Sequence, residues 1–165
     1  MKFVFVRHGR KDGEQGENGP LTEEGRMQAR RAGEYLKSRG LTPDWVCHTP
    51  KKRTKETAEG VLEALGVKCP VRPPHGWDIG GTRRGEKEEL RAAIEREIEG
   101  FFAAAPHESS VTMFVGHNTQ QGPLRKQFGF PEIPKGHRGC VLVLEKKPNG
   151  RWEADGHLPG TDSDA

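Results

Sequence analysis

Four consecutive aromatic and β-branched residues, Phe3–Val6, run straight into Arg7-His8-Gly9, and this abrupt step from apolar to cationic sequence constrains the fold most. An uninterrupted apolar run this short, followed by a glycine, suits a strand buried on both faces of a sheet rather than one that alternates between core and solvent. Asp44–His48 reads as a second short strand and Val111–Val115 as another. Segments with helical periodicity stand between them. Strands alternating with helices predict an α/β layered domain around a mostly parallel sheet, whose ligands gather at the carboxyl ends of the strands.

The first helical segment starts after Leu21. Thr22 can cap it, Glu23 and Glu24 complement its positive end, and Gly40 closes it. Met27, Ala29 or Arg30, Ala32, Tyr35 and Leu36 form its expected apolar face. A second helix is expected from Arg53 to Leu65, with Ala58, Val61, Leu62 and Leu65 inward, Pro50 at its first helical position and Gly66 as its stop. A third spans roughly Glu86 to Ala104, and a short one follows Gly116-His117-Asn118-Thr119. Cys140–Leu144, Pro148-Asn149-Gly150 and Trp152 predict a terminal antiparallel hairpin, because Asn-Gly is a specific turn signal. One domain over residues 1–159 is expected, and Gly160 to Ala165 read as a loose tail.

Charge and cysteine usage narrow the function. Twenty-seven basic against 24 acidic side chains leave a formal charge of +3, too small an excess to indicate a nucleic-acid or membrane-surface protein. The lysine-rich stretch at 51–55 has no interleaved aromatic residues, so neither a nucleic acid nor a membrane is expected as partner. Three cysteines, Cys47, Cys69 and Cys140, show no paired spacing and fit reduced thiols in a cytoplasmic protein. The N-terminal apolar run meets charge at once and reads as neither a signal peptide nor a membrane span.

Three predicted strand ends carry the chemistry: Arg7-His8-Gly9, Thr49–Arg53 and Gly116-His117-Asn118. Two histidines and two arginines in one crevice match a phosphoryl group, whose oxygens a guanidinium grips in bidentate fashion. Lys51, Lys52, Arg53 and Lys55 would all oppose the macrodipole of the second helix, each at about 0.3–1 kcal/mol. An anion held at that helix start reverses the sign, while a solvated basic face is the other reading of the lysines. A neutral imidazole can attack phosphorus in line while the flanking cations stabilise the equatorial oxygens. Arg7 beside His8 disfavours the imidazolium and so favours the nucleophile.

Val6-Arg7-His8-Gly9, then Pro20-Leu21-Thr22-Glu23-Glu24-Gly25 with Gln28-Ala29, then Arg53-Thr54-Lys55-Glu56-Thr57-Ala58, then Val115-Gly116-His117 closely resemble the histidine phosphatase superfamily, which includes the phosphoglycerate mutases. That resemblance implies a three-layer α/β/α sandwich and a reaction needing no metal or cofactor. His8 would be the phosphorylated nucleophile, with Arg7, Arg53 and His117 as the phosphate pocket. Gly9 and Asn118 join them as phosphate-binding candidates. For the family's acidic residue the best match is Asp78, with Glu86 behind it, although Asp78 can equally close a loop turn. Only one predicted helix and a glycine-rich loop lie between Leu65 and Val111, which leaves little material for a lid. The chain looks most like the short SixA-type phosphohistidine phosphatases, so the expected partner is a phosphorylated protein, or else a small phosphorylated substrate.

Overall fold

The computed structural model describes residues 1–72, 111–117 and 137–161. Within them the chain forms β1 (Lys2–Arg7), α1 (Glu23–Ser38), β2 (Trp45–His48), α2 (Lys52–Leu65), β3 (Val71–Arg72), β4 (Val111–Gly116), β5 (Val141–Lys146) and β6 (Trp152–Leu158). A short 3-10 turn covers Gly13–Gln15. The third helix expected over Glu86–Ala104 and the short one after Thr119 lie outside the described residues.

The six strands are ordered β3-β2-β4-β1-β5-β6 in one sheet. β1, β2, β3 and β4 run parallel, and β5 and β6 add the expected antiparallel hairpin. The chain is thus an α/β protein with a mostly parallel central sheet. At its centre, β1 and β4 are aligned from Lys2 opposite Val111 to Arg7 opposite Gly116. Their continuous apolar sequence is explained by burial on both faces: Val4, Val6, Met113 and Val115 pack with the helices, and Phe3, Phe5 and Phe114 on the opposite face are equally inaccessible.

Both described helices cover the Val4–Val6 face, where Ala32, Leu36, Ala58, Val61 and Leu65 meet the sheet. α1 and α2 approach closely because their contact is lined by small residues. A Cβ on Gly33 would stand 2.6 Å from the Ala64 methyl carbon. The expected caps form: Thr22 Oγ1 accepts from the Gly25 amide at 3.0 Å, and Gly66 closes α2 in the left-handed conformation at φ 70°.

Two expectations are corrected. Met27 is 64% exposed, and the inward face of α1 runs instead through Gly25, Gln28, Ala29, Ala32, Gly33 and Leu36. Gln28 is buried because its carboxamide is used, accepting from the Arg10 amide at 2.8 Å and donating to Thr161 Oγ1 at 2.9 Å. α2 begins at Lys52 with Lys51 as its N-cap, so Pro50 stands just before the helix rather than at its first position. The bond from Gln28 also holds Thr161, and a Cβ on Gly160 would meet the His137 backbone and side chain.

Candidate active site

Parallel pairing delivers the ends of β1, β2 and β4 to one edge of the sheet. The His8 amide donates to the Gly116 carbonyl at 3.0 Å, and the Thr49 amide to the Val115 carbonyl at 3.4 Å. His8 and His117 then face each other edge to face, their ring centroids 5.2 Å apart. Arg7, His8, Arg53 and His117 are all buried, an unusual fate for such side chains unless they serve one another or a ligand.

Each imidazole is held by a partner of its own. His8 Nδ1 lies 2.7 Å from the Gly9 carbonyl oxygen. A carbonyl only accepts, so Nδ1 carries the proton and Nε2 keeps the lone pair. His117 Nε2 lies 2.8 Å from Thr49 Oγ1.

Burial is the main reason that both rings stay neutral. It drives the His8 pKa down to about 3 against the bond to Gly9, and the charges of Arg53, Arg7 and Arg138 push the same way. For His117, also lowered to about 3, burial again leads, followed by His8, Arg53, Lys51 and Arg7. Arg7 therefore favours a neutral His8 as its sequence position suggests, but burial and Arg53 outweigh it.

Arg53 comes from the second residue of α2. Its Nη1 donates to the Glu17 carbonyl at 2.9 Å, while the same loop caps the helix through Asn18 Oδ1, which accepts from the Lys52 amide at 3.0 Å. Lys51 itself makes no side-chain cap, and no acidic residue occupies the first turn. The start of α2 thus carries cations against its own macrodipole, and Asn18 answers one of its amides with a neutral carboxamide.

The loop after β1 is braced from below. The Gly9 amide donates to Thr57 Oγ1 at 3.0 Å, and the Thr57 hydroxyl donates to the Arg53 carbonyl at 2.6 Å. Its amide being committed, Gly9 serves through close approach: a Cβ there would fall on the backbone carbonyl of Gly25. A turn at 137–140 clamps the other side. The Gly139 amide donates to the Arg7 and His8 carbonyls at 3.1 and 3.3 Å, and the Arg7 amide to the Cys140 carbonyl at 3.1 Å.

The model of the histidine phosphatase superfamily, branch 1, matches residues 3–139. The chain belongs to this superfamily. Pgam5 of Drosophila grimshawi, described as a mitochondrial serine/threonine-protein phosphatase, is 31% identical over 136 residues. That match takes in 70% of this chain but 46% of the fly protein, so the chain spans about half the length of the curated relative. Among solved structures, the Agrobacterium tumefaciens SixA, described as a putative phosphohistidine phosphatase, is 21% identical with a TM-score of 0.71, covering 98% of this chain and 99% of that one. Bacillus stearothermophilus YhfR is 18% identical with a TM-score of 0.72, covering 98% of each chain. At these identities the two structures establish the shared fold.

As a member of this superfamily, the chain brings together four of the residues singled out by sequence, Arg7, His8, Arg53 and His117. Asp78, Glu86 and Asn118 lie outside the described residues. Thr49, Thr54, Thr57, Asn18 and the Arg138-Gly139 turn were not singled out for roles of their own. A threonine that bonds a histidine 68 positions away leaves no local pattern. The signal for the threonines is segmental: Thr54 and Thr57 lie within the matched Arg53–Ala58 segment and Thr49 opens the strand-end segment Thr49–Arg53.

Proposed function

We propose that this chain is a phosphatase working through a phosphohistidine on His8, with a phosphorylated protein, above all one phosphorylated on histidine, as substrate. The observation that carries the reading is a neutral, buried His8 whose proton is fixed on Nδ1 by Gly9, set 5.2 Å from a second neutral imidazole and within the field of Arg7 and Arg53. The lone pair on Nε2 attacks phosphorus as the bond from phosphorus to the substrate nitrogen or oxygen breaks. That leaving atom takes up a proton. Water then attacks the phosphorus of phospho-His8, releasing inorganic phosphate and restoring the imidazole. Arg7, Arg53 and His117 stabilise the equatorial oxygens through both steps.

Two features favour a phosphoramidate. Among the described residues, the side chains whose charges act on the two rings are cationic or imidazole. A phosphoramidate nitrogen can be protonated before cleavage and so asks less of a general acid than an alkyl ester does. The SixA likeness points the same way. Pgam5 carries a serine/threonine phosphatase name, so phosphoserine is the natural competitor in the assay.

A panel of phosphohistidine peptide, phosphoserine peptide, phosphoglycerate and a chromogenic phosphate ester tests the reading. The expected result is the highest kcat/KM on phosphohistidine peptide, with acid-labile, alkali-stable phosphate trapped on His8. Full turnover by His8→Ala would overturn the mechanism, and a preference for phosphoglycerate would overturn the substrate class.

A further inference from the structure

Two cations from different elements converge on one backbone oxygen at the rim of the site. The Glu17 carbonyl accepts from Arg53 Nη1 at 2.9 Å and from Lys11 Nζ at 3.1 Å. Like charges this close repel, and a single carbonyl dipole offsets them only in part. Among the described residues, no carboxylate pairs with either side chain. Burial lowers the Arg53 pKa, and the Glu17 carboxylate opposes this through its charge from outside ion-pair distance. Neighbouring cations are treated differently: Arg10 pairs with Glu24 at 3.0 Å, and Lys55 with Glu59 at 4.0 Å one turn along α2.

The backbone that carries Lys11 is fixed. Lys11 bridges to Leu21 across the loop between β1 and α1, the Asp12 amide donates to the Pro20 carbonyl at 2.7 Å, and Asp12 Oδ1 accepts from the Glu14 amide at 3.0 Å. Asn18 and the Glu17 carbonyl fasten the same loop to the start of α2. Lys11 is thus set beside Arg53 by a braced loop, on the exposed side of the pocket. The cations that act most on the His8 and His117 rings are Arg53, Arg7, Lys51 and Arg138, and Lys11 stands outside that group.

Each of the two side chains has donors to spare: one of five guanidinium N–H groups and one of three ammonium protons go to the Glu17 carbonyl. We propose that Lys11, beside Arg53, is a specificity-determining residue that binds a carboxylate of the substrate polypeptide close to its phosphohistidine. The inference rests on the proposed phosphatase reading for the identity of the phosphoryl donor. Arg53 then faces the phosphoryl oxygens, and the acidic side chain beside them meets donors already in place, so little ordering opposes its binding. Exposure of the lysine keeps the effect modest.

The test compares two pairs of peptides. One pair carries phosphohistidine flanked by glutamate or by glutamine; the other has the same flanks and a non-hydrolysable phosphonate in place of the phosphoramidate. The wild type should favour the glutamate peptide about 3- to 10-fold in kcat/KM, chiefly through KM, and the ratio should approach one at about 0.5 M salt. Lys11→Gln removes the charge but keeps a donor for the Glu17 carbonyl, and should bring the ratio to about one. Lys11→Arg should keep it, and so should Lys37→Gln, which removes a charge in the last turn of α1. Affinities of the phosphonate pair, measured by calorimetry, should follow the same pattern. Equal rates on both peptides in the wild type, an unchanged ratio in Lys11→Gln, or an equal loss in Lys37→Gln overturns the inference. A Lys11-dependent preference for inorganic pyrophosphate over the glutamate peptide would place the second anion on a small molecule and overturn it as well. If no peptide is turned over, the phosphatase reading fails, and the phosphonate affinities still decide the role of Lys11.

Discussion

Holding two neutral imidazoles in the interior has a consequence for acid stability that follows from the site geometry. His8 and His117 are 8% and 5% exposed, and both are lowered to about 3 in the folded chain, chiefly by burial. In the unfolded chain each titrates near 6.5. Below that pH the unfolded state binds protons that the folded state refuses, so stability falls as the pH drops from about 6.5 toward 3. Integrated from pH 7 to pH 5, the loss is about 2 kcal/mol for each ring and about 4 kcal/mol for the pair. That is a large part of the 5–15 kcal/mol typical of a domain. The assay is urea unfolding at several pH values on wild type, His8→Asn, His117→Asn and the double variant. Each single variant should lose about half of the wild-type dependence. The double variant should keep only what the other groups contribute. His157, also lowered by burial, contributes equally in all four proteins. Asp155, held low by its bond to Lys2, loses its contribution only below about pH 4. An identical loss between pH 7 and pH 5 in the wild type and the double variant would refute the claim that these rings are held neutral by burial.

A Cβ on Gly9 would fall on the Gly25 carbonyl, so Gly9→Ala must push the nucleophile loop off the start of α1. The expected cost is about 1–3 kcal/mol in stability and about 100-fold in kcat, whereas Gly13→Ala, whose Cβ meets nothing within 4 Å, should leave both unchanged. Arg53→Lys keeps the charge but loses the planar fork and its bond to the Glu17 carbonyl. Vanadate binding measured by calorimetry should weaken about 10- to 100-fold, and equal affinity would refute a bidentate role for Arg53.

The central strand was legible because burial on both faces leaves an uninterrupted apolar run, and Phe3–Val6 has no other economical use. α1 was legible from Thr22 and Gly40, whose cap roles are local. Its buried face was not, since Gln28 goes inward on the strength of bonds to Arg10 and Thr161 that no periodicity can reveal. Hydropathy favours Met27 over Gln28, and distant hydrogen-bond partners reverse the choice. The same limit applies to the site. His8 and His117 are visible as strand-end histidines, but that Thr49 and Thr54 stand behind His117 depends on β2 lying beside β4, a neighbourhood only the sheet order supplies.

One set of charges sets both the reactivity and the affinity of this site. Arg53 and Arg7 disfavour the protonated form of each imidazole, and so favour the lone pair on His8 that the proposed attack uses. When a phosphoryl group arrives, the same guanidiniums are offset by its oxygens. The penalty on protonating His117 then shrinks at the moment a proton donor becomes useful there. A carboxylate among those groups would break this coupling, since it would favour the imidazolium in the resting site and compete with the substrate for the guanidiniums. Among the described residues the charges acting on the rings are cationic, and burial removes water from them. The framework meets both demands by placing His8 and His117 at the ends of its two most deeply buried parallel strands, with Arg53 and its lysine neighbours at the helix start beside them.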